Sequence, residues 1–302
     1  MDDGSSDGTV AVAQKFASQG VRVVSQKNQG AAAARNKALE LSRGDYIQWL
    51  DADDLLAPDK IEIQLKGADE SLSKRTLLSS AFGEFHFRAD RAEFNPSSLW
   101  CNLEPVEFLL RKIEQNLFMQ TATWLVSREL ADAAGPWDTR LLSDDDGEYF
   151  CRIIRASDSV RFCSDARVFY RLGPGGLSYI GRSNRKLEAL FLSMELHIGY
   201  IRSLEDSPRV RRACVTYLQR HFFYFYPEMP EIVSRAERLA EELGGKLETP
   251  QLSWKYAWIQ RLFGWTAAKR AQLKYNRLKA SCIGSYDKAM ADLVKRNPIT
   301  NS

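Results

Sequence analysis

The chain has 302 residues, of which 44% are hydrophobic and 27% are charged, the proportions of an ordinary globular protein. No run approaches 18 uncharged apolar residues, so the sequence predicts no transmembrane helix, and residues 1–9 lack the basic and apolar regions of a secretory signal. The five cysteines form no CxxC pair, which argues against a zinc site or a disulfide framework and indicates a reducing, cytoplasmic location.

Charge is unevenly distributed along the chain. Residues 251–302 contain 10 Lys and Arg against 2 Asp and Glu, a net charge of +8, so residues 1–250 carry −5 of the total of +3. Trp254, Trp258 and Trp265 are interspersed among these basic residues. Basic, aromatic helices bind anionic membrane surfaces, so residues 251–302 are a candidate peripheral contact with the inner face of a membrane. The alternative is an amphipathic helix packed on the rest of the protein.

The first 55 residues alternate between two kinds of element. After an N-terminal loop, the pattern is helix, strand, helix and strand, at Thr9–Ala17, Val21–Val24, Ala31–Leu41 and Asp45–Leu50. Such alternation implies crossover connections and predicts a parallel sheet.

The elements that follow divide the chain near Ile180. Up to that point the patterns predict helices at Pro58–Leu72, Val106–Arg111 and Arg128–Ala134, and strands at Leu77–Phe87, Thr121–Ser127 and Val160–Tyr170. In the first of these helices, Ile61, Leu65 and Leu72 are expected to face inward. Beyond Arg182 the pattern is almost entirely helical, at Lys186–Leu204, Arg209–Tyr226, Glu231–Leu243 and Trp254–Ser281. We therefore expect an α/β domain at 1–180 and a helical region at 181–302.

A cluster of carboxylates follows the strand at Asp45–Leu50 directly. Asp51, Asp53 and Asp54 lie within four positions, at the strand end where α/β sheets commonly bind ligands. Carboxylates at i and i+2 supply hard oxygen ligands for Mg²⁺ or Mn²⁺, and an ion with few protein ligands keeps positions open for phosphate oxygens. The alternative is a plain Asp-rich turn that caps the next helix.

Two further polar stretches accompany this cluster. The chain begins with the loop DDGSSDGT, at residues 2–9, and a second acidic run, SDDDGEYFCRII, occupies Ser143–Ile154. Each has an ordinary structural alternative: the loop as turn residues, and the run as a helix N-terminus that favours acidic side chains.

Four stretches in order resemble inverting glycosyltransferases of family 2. They are DDGSSDGT at 2–9, NQGAAAARNKAL at 28–39, DADD at 51–54, and GPWDTRL with SDDDGEYFCR at 135–152. The resemblance covers about the first 180 residues. It implies a Rossmann-like, three-layer GT-A fold that binds a nucleotide-diphosphate sugar such as a UDP-sugar, followed by the helical C-terminal region. It also implies a saccharide or lipid-linked acceptor in cell-surface polysaccharide synthesis and no nucleic-acid partner.

The resemblance also implies a role for each matching residue. Asp2 and Asp3 would border the base and ribose of the donor, with Arg35 near the base. Asp51 would face the ribose or the metal, and Asp53 would bind the Mg²⁺ or Mn²⁺ that bridges the diphosphate.

The acceptor side of the site is implied by the fourth stretch. Asp146 would be the catalytic base that deprotonates the acceptor hydroxyl. Asp145 stands where the family usually has Glu. Trp137 and Arg171 would lie near the acceptor or the diphosphate.

One departure from the family pattern concerns the start of the sequence. Relatives place a strand and a helix before the DDGS loop, so we expect an N-terminally truncated form of an active enzyme. A degenerate sugar-nucleotide-binding or scaffold protein is the main alternative. A haloacid-dehalogenase-like phosphatase is a further one, because a strand followed by Asp-x-Asp also suits that fold.

Overall fold

The computed structural model describes residues 1–67, 73–173 and 183–296. In these ranges the helices are α1 Thr9–Gln14, α2 Ala31–Leu41, α3 Lys60–Gly67, α4 Pro105–Gln115, α5 Arg128–Ala134, α6 Asp145–Ala156, α7 Asn184–Leu204, α8 Pro208–Phe225, α9 Pro230–Glu242 and α10 Ala257–Arg296. The strands are β1 Tyr46–Gln48, β2 Leu55–Leu56, β3 Thr76–Phe85, β4 Leu125–Ser127 and β5 Ser159–Arg171. The expected α/β class with a helical C-terminal region is confirmed.

The five strands form one mixed sheet in the order β1-β4-β3-β5-β2. The central pair, β3 and β5, is parallel and runs from Thr76 opposite Ser159 to Phe85 opposite Arg171. The other three pairings are antiparallel, including β1 with β4. The parallel sheet predicted from the first 55 residues was wrong, because Val21–Val24 forms no strand and β1 pairs antiparallel with β4.

The segment predicted as a strand at Val21–Val24 is not one. The residue that follows it, Ser25, forms a parallel bridge with Asp2. In that bridge the Asp2 amide donates to the Val24 carbonyl oxygen at 2.8 Å, and the Gln26 amide donates to the Asp2 carbonyl oxygen at 3.0 Å. The bridge attaches the N-terminal loop to the segment that leads into α2.

Helix α3 has the opposite orientation to the predicted one. Ile61 and Leu65 are 39% and 40% exposed, whereas Lys60 and Gln64 are fully buried. The Lys60 ammonium donates to the Ala122 carbonyl oxygen at 2.7 Å and to the Gln48 side chain. The Gln64 amide donates to the Thr123 carbonyl oxygen at 3.0 Å. These carbonyl groups need donors because buried polar groups cost free energy when they are unpaired.

The C-terminal helices pack on the α/β part of the chain. Helix α7 lies against α6, α8 lies against α4, and one cluster of buried apolar side chains extends from Ala32 to Leu247. The expected boundary at Ile180 and the predicted inward residue Leu72 lie outside the described residues. None of the described helices has the length and apolarity needed to cross a bilayer.

Buried Lys60 gives the protein a characteristic pH dependence of stability. Burial lowers the pKa of Lys60 from 10.5 to about 7. Between these two values the unfolded chain binds a proton that the folded chain has lost, so the free energy of unfolding rises with pH. We expect Lys60→Met to remove an increase of about 2–4 kcal/mol between pH 7 and pH 10, measured by urea denaturation.

Lys66→Met is the matched control, because Lys66 lies exposed on the same helix in an ion pair with Glu62. Its pH profile should follow that of the wild type. Parallel profiles for Lys60→Met and the wild type would contradict the prediction.

Candidate active site

The N-terminal acidic loop is fastened to the loop that precedes α2. The Asp3 carboxylate accepts hydrogen bonds from the Gln26 side chain at 2.8 Å and from the amides of Gln29 and Gly30 at 2.9 and 2.8 Å. Burial acts to raise the pKa of Asp3, but these three donors outweigh it and hold the pKa below its usual value. Asp2 accepts from the Ser5 amide at 3.2 Å, and hydrogen bonding to Ser5 likewise lowers its pKa.

The close approach of these two loops requires a glycine. Gly4 has a φ of +81°, and a Cβ atom there would lie 2.9 Å from the backbone nitrogen of Asn28. A side chain at this position would therefore force the DDGS loop away from the segment that leads into α2.

Arg35, on α2, connects the two acidic clusters of the sequence. Its Nη2 donates to Asp51 Oδ1 at 2.8 Å, and its Nη1 donates to Asp145 Oδ2 at 2.7 Å. The Arg35 and Asp145 side chains are each 19% exposed, and the Asp51 side chain is 37% exposed. The segments 51–54 and 144–146 therefore lie in one site, although 90 positions separate them in the sequence.

A cluster of aromatic side chains packs against one face of the Arg35 guanidinium group. The guanidinium carbon lies 4.5 Å from the centroid of the Trp137 ring, which stacks on Tyr149 at 4.1 Å and meets Trp49 edge-on at 5.2 Å. Trp137 is 1% exposed, so its ring acts on the site only through Arg35. Asn36 fixes the Trp137 backbone by donating to its carbonyl oxygen at 2.9 Å and accepting from its amide at 2.7 Å.

The turn after β1 presents its carboxylates in different directions. Asp53 is exposed, whereas Asp54 is 5% exposed and accepts from the Gln120 side chain at 2.5 Å and the Arg171 amide at 2.8 Å. Burial raises the pKa of Asp54 to about 6. The Arg171 guanidinium donates to the carbonyl oxygens of Asp53 and His86, at 2.8 and 3.2 Å, and thereby holds the turn against β5.

Three acidic side chains, Asp145, Asp146 and Glu148, occupy the first turn of α6, and two of them lie at the candidate site. Burial raises the pKa of Asp145 to about 6, against the opposing charge of Arg35. Burial also raises the pKa of Asp146, with the nearby charge of Asp144 adding to the effect and Arg35 opposing it. The N-terminus of a helix favours the ionised form of a carboxyl group. A carboxylate with a raised pKa at such a position is a stronger base than a fully solvated one.

Several residues of the site have no recognisable signal in the sequence. The Thr121 hydroxyl lies 3.4 Å from Asp146 Oδ2, and Gln120 binds Asp54, so the turn at 120–123 touches both acidic clusters. This turn was predicted as part of a strand, because TATWLVS contains β-branched and aromatic residues. Its first half is a 3₁₀ turn, Thr121–Thr123.

The donor set near the turn after β1 suits a divalent cation that is shared with a ligand. Among the described residues, no group of three or more His, Cys, Asp or Glu side chains could hold a metal on its own. Asp51 and Asp53 offer two carboxylates at i and i+2, and hard oxygen ligands of this kind fit Mg²⁺ or Mn²⁺ when phosphate oxygens complete the coordination.

Sequence comparison matches the N-terminal part of the chain. Residues 1–84 match the profile of the family described as Glycosyl transferase family 2. A chondroitin synthase of Escherichia coli is 45% identical over 74 residues, which are 24% of this chain and 11% of that protein. An uncharacterized glycosyltransferase of Haemophilus influenzae is 46% identical over 68 residues, 22% of this chain and 27% of its own. The aligned segments thus span about a quarter or less of these curated relatives.

A structural comparison extends over most of the chain. The crystal structure of S. aureus TarS 1–349 covers 79% of this chain and 67% of its own, with a TM-score of 0.57 and 19% sequence identity. The shared fold is the GT-A-like α/β arrangement with a mixed sheet. Residues 1–84 are therefore similar to family 2 glycosyltransferases, and the chain shares its fold with TarS.

Proposed function

We propose that this chain transfers a sugar from a nucleotide-diphosphate sugar to an acceptor hydroxyl, with inversion at the anomeric carbon. The observation that carries the proposal is the pair of hydrogen bonds from Arg35 to Asp51 and Asp145. These bonds bring the proposed donor side and the proposed acceptor side to opposite ends of one guanidinium group. The family match of residues 1–84 favours this reaction over a phosphatase.

The donor nucleotide is assigned to the loop at 2–9 and the start of α2. Asp3 is already occupied by three hydrogen bonds, so its role is to shape the loop at 26–30. Asp2 accepts from the Ser5 amide and lies at the exposed end of the loop, where a ribose or base could reach its carboxylate. A UDP-sugar is the first donor to test.

Asp51 and Asp53 would hold a bound Mg²⁺ or Mn²⁺ together with the donor diphosphate. Such an ion neutralises the charge that develops on the leaving nucleotide diphosphate. The turn that carries the two carboxylates is fixed by Arg171 and Asp54, which limits the loss of entropy on binding.

Asp146 is assigned as the general base. It is half-buried, its pKa is raised by burial, and the Thr121 hydroxyl and the Gly147 amide donate to it. Its carboxylate takes the proton of the acceptor hydroxyl as the hydroxyl oxygen attacks the anomeric carbon. Attack from the face opposite the leaving group inverts the configuration in one step.

The part of the acceptor beyond its reacting hydroxyl is assigned to the surface between the segment that precedes α6 and the C-terminal helices. A groove of about 690 Å³ lies there, between Arg140 and Leu142, which precede α6, and the first turns of α7 and α9. Its polar and apolar lining suits a saccharide or a lipid-linked saccharide, as expected for cell-surface polysaccharide synthesis.

The proposal is tested by screening nucleotide sugars for hydrolysis by the purified full chain. We expect one donor to be hydrolysed faster than in the blank, with Mn²⁺ or Mg²⁺ required. Asp53→Asn should raise the metal concentration at half-maximal rate by at least about tenfold, because it removes one carboxylate ligand. The exposed Asp59→Asn is the control. Calorimetric binding of UDP without hydrolysis of any donor would instead support a binding or scaffold protein.

The assignment of Asp146 as the general base predicts that its replacement lowers the rate of sugar transfer and leaves UDP binding unchanged. Asp146→Asn should reduce turnover by at least about 10²-fold while UDP binding, measured by calorimetry, stays at the wild-type level. Asp132→Asn, at an exposed position on α5, is the control and should leave both quantities unchanged. Unchanged turnover in Asp146→Asn would remove this residue from the mechanism.

We infer a membrane-facing surface on the C-terminal segment. Trp265 and Lys269 dock α10 on the protein: the indole donates to the Pro250 carbonyl oxygen at 3.1 Å, and the ammonium pairs with Glu228 at 2.7 Å. Four large apolar side chains nearby remain between 61% and 81% exposed, namely Trp254, Trp258, Leu262 and Phe263. Together with the net charge of +8 in residues 251–302, this surface fits an anionic bilayer.

Vesicle co-sedimentation of the full chain tests this surface. We expect binding to vesicles that contain phosphatidylglycerol and little binding to pure phosphatidylcholine. Replacing Trp258 and Phe263 together by Ser should lower the partition coefficient by at least about tenfold, because two exposed aromatic anchors are lost. Phe16→Ser, which removes an exposed aromatic side chain far from this segment in sequence, is the control. Equal binding of all three proteins, or none by the wild type, would refute the inference.

A further inference from the structure

The residue that precedes α6 has an unusual backbone conformation. Asp144 has φ +58° and ψ +29°, and it is one of two described non-glycine residues with positive φ. A side-chain-bearing residue keeps this left-handed conformation only where its surroundings hold it. Its carbonyl oxygen accepts from the Glu148 amide at 3.0 Å, so Asp144 sets the direction in which α6 begins.

Two buried side chains of α7 face the Asp144 carboxylate. The Ser193 Oγ lies 2.7 Å from Asp144 Oδ2 and 2.9 Å from the Leu190 carbonyl oxygen. A hydroxyl has one proton, and the charged oxygen of Asp144 is the stronger acceptor. Ser193 is fully buried, so solvent water does not compete with Asp144 for the hydroxyl proton.

His197 lies one turn further along α7 and points at the same oxygen. Its Nε2 is 3.8 Å from Asp144 Oδ2, has no hydrogen-bond partner and is buried, and its Nδ1 is 3.0 Å from the Tyr217 hydroxyl. Burial lowers the pKa of His197 well below its usual value, so the ring is neutral. In the tautomer in which the Tyr217 hydroxyl donates to Nδ1, the ring proton lies on Nε2, on the side of the Asp144 carboxylate and the Gly147 backbone.

The space for the Asp144 side chain is provided by a glycine. A Cβ atom on Gly147 would lie 2.0 Å from Asp144 Oδ1, so the carboxylate folds back over the first turn of α6 only because residue 147 has no side chain. Arg35 holds the same turn from the other side through Asp145. The first turn of α6 is thus fixed between α2 and α7.

We propose that Ser193 and His197 are positioning residues for sugar transfer: they hold Asp144, and through it they orient the turn that carries Asp145 and Asp146. The proposal rests on the function proposed above. It gives the helical C-terminal region a direct part in the reaction, because both residues belong to that region. Neither residue touches the reacting atoms, and both act through the Asp144 carboxylate.

The first test separates positioning from general helix packing. Ser193→Ala should lower kcat by at least about tenfold with the KM for the donor changed by less than about twofold, since a misplaced base affects chemistry more than binding. Tyr200→Phe is the matched control, because the Tyr200 hydroxyl also joins α7 to α6, through Glu148 at 2.6 Å, without contacting Asp144. It should leave kcat within about twofold of the wild type.

Two variants of Asp144 show whether the carboxylate contact carries the effect. Asp144→Asn keeps an oxygen for Ser193 and tolerates the left-handed conformation, whereas Asp144→Ala does neither. We expect kcat of Asp144→Asn to exceed that of Asp144→Ala by at least about threefold. Equal kcat in these two variants, or a wild-type kcat in Ser193→Ala, would overturn the proposal.

A measurement without substrate distinguishes this proposal from the proposed function. Hydrogen exchange of the amides of residues 145–148 should accelerate in Ser193→Ala and not in Tyr200→Phe. Faster exchange in a chain that transfers no sugar would uphold the anchoring of α6 and refute the function. A proportional loss of kcat, donor affinity and melting temperature in Ser193→Ala would assign Ser193 to stability alone and overturn the proposal.

Discussion

The organisation of this site depends on one half-buried cation, the Arg35 guanidinium, placed between two carboxylates. Without the guanidinium, the carboxylates of Asp51 and Asp145 would repel each other. Without these carboxylates, the partial burial of the guanidinium would cost free energy of folding. The rest of the site holds the guanidinium in place. The Trp137 ring lies beneath it, Asn36 fixes the Trp137 backbone, and the Asp3 carboxylate fastens the loop that leads into α2. The acidic segments therefore converge because a single side chain of α2 neutralises both.

Local sequence patterns predict much of the secondary structure. They fail where a residue distant in the sequence determines the conformation of a segment. Ala31–Leu41 and Arg128–Ala134 are rich in helix formers and form the predicted helices. Val21–Val24 has strand propensity but forms no strand, and the next residue, Ser25, forms a bridge with Asp2. Helix α3 turns Lys60 and Gln64 inward because the turn at 120–123 presents carbonyl oxygens that need donors. The apolar spacing of Ile61 and Leu65 contains no information about those carbonyls.

The proposed site residues could be read from the sequence, whereas the residues that orient them could not. The acidic motifs stand out because several carboxylates fall within a few positions. Asn36, Gln120 and Ser193 are single polar residues, and they resemble any solvated position until the fold places Trp137, Asp54 and Asp144 beside them. Trp137 is the opposite case, a residue of a sequence motif whose side chain supports another residue of the site. Its position in the motif suggested contact with a ligand, but the structure uses its ring as the floor under Arg35.

The pairing of Arg35 with Asp145 rather than Asp146 suits the role of general base that we propose for Asp146. A base must be ionised at working pH and yet retain affinity for a proton. Burial raises the pKa of both carboxyl groups, which increases proton affinity, while the helix N-terminus and the nearby guanidinium keep the ionised form accessible. A direct hydrogen bond from Arg35 to Asp146 would occupy an oxygen and lower its basicity. Because the guanidinium binds Asp145 instead, its charge reaches Asp146 through space, and the carboxylate of the proposed base stays open to the acceptor.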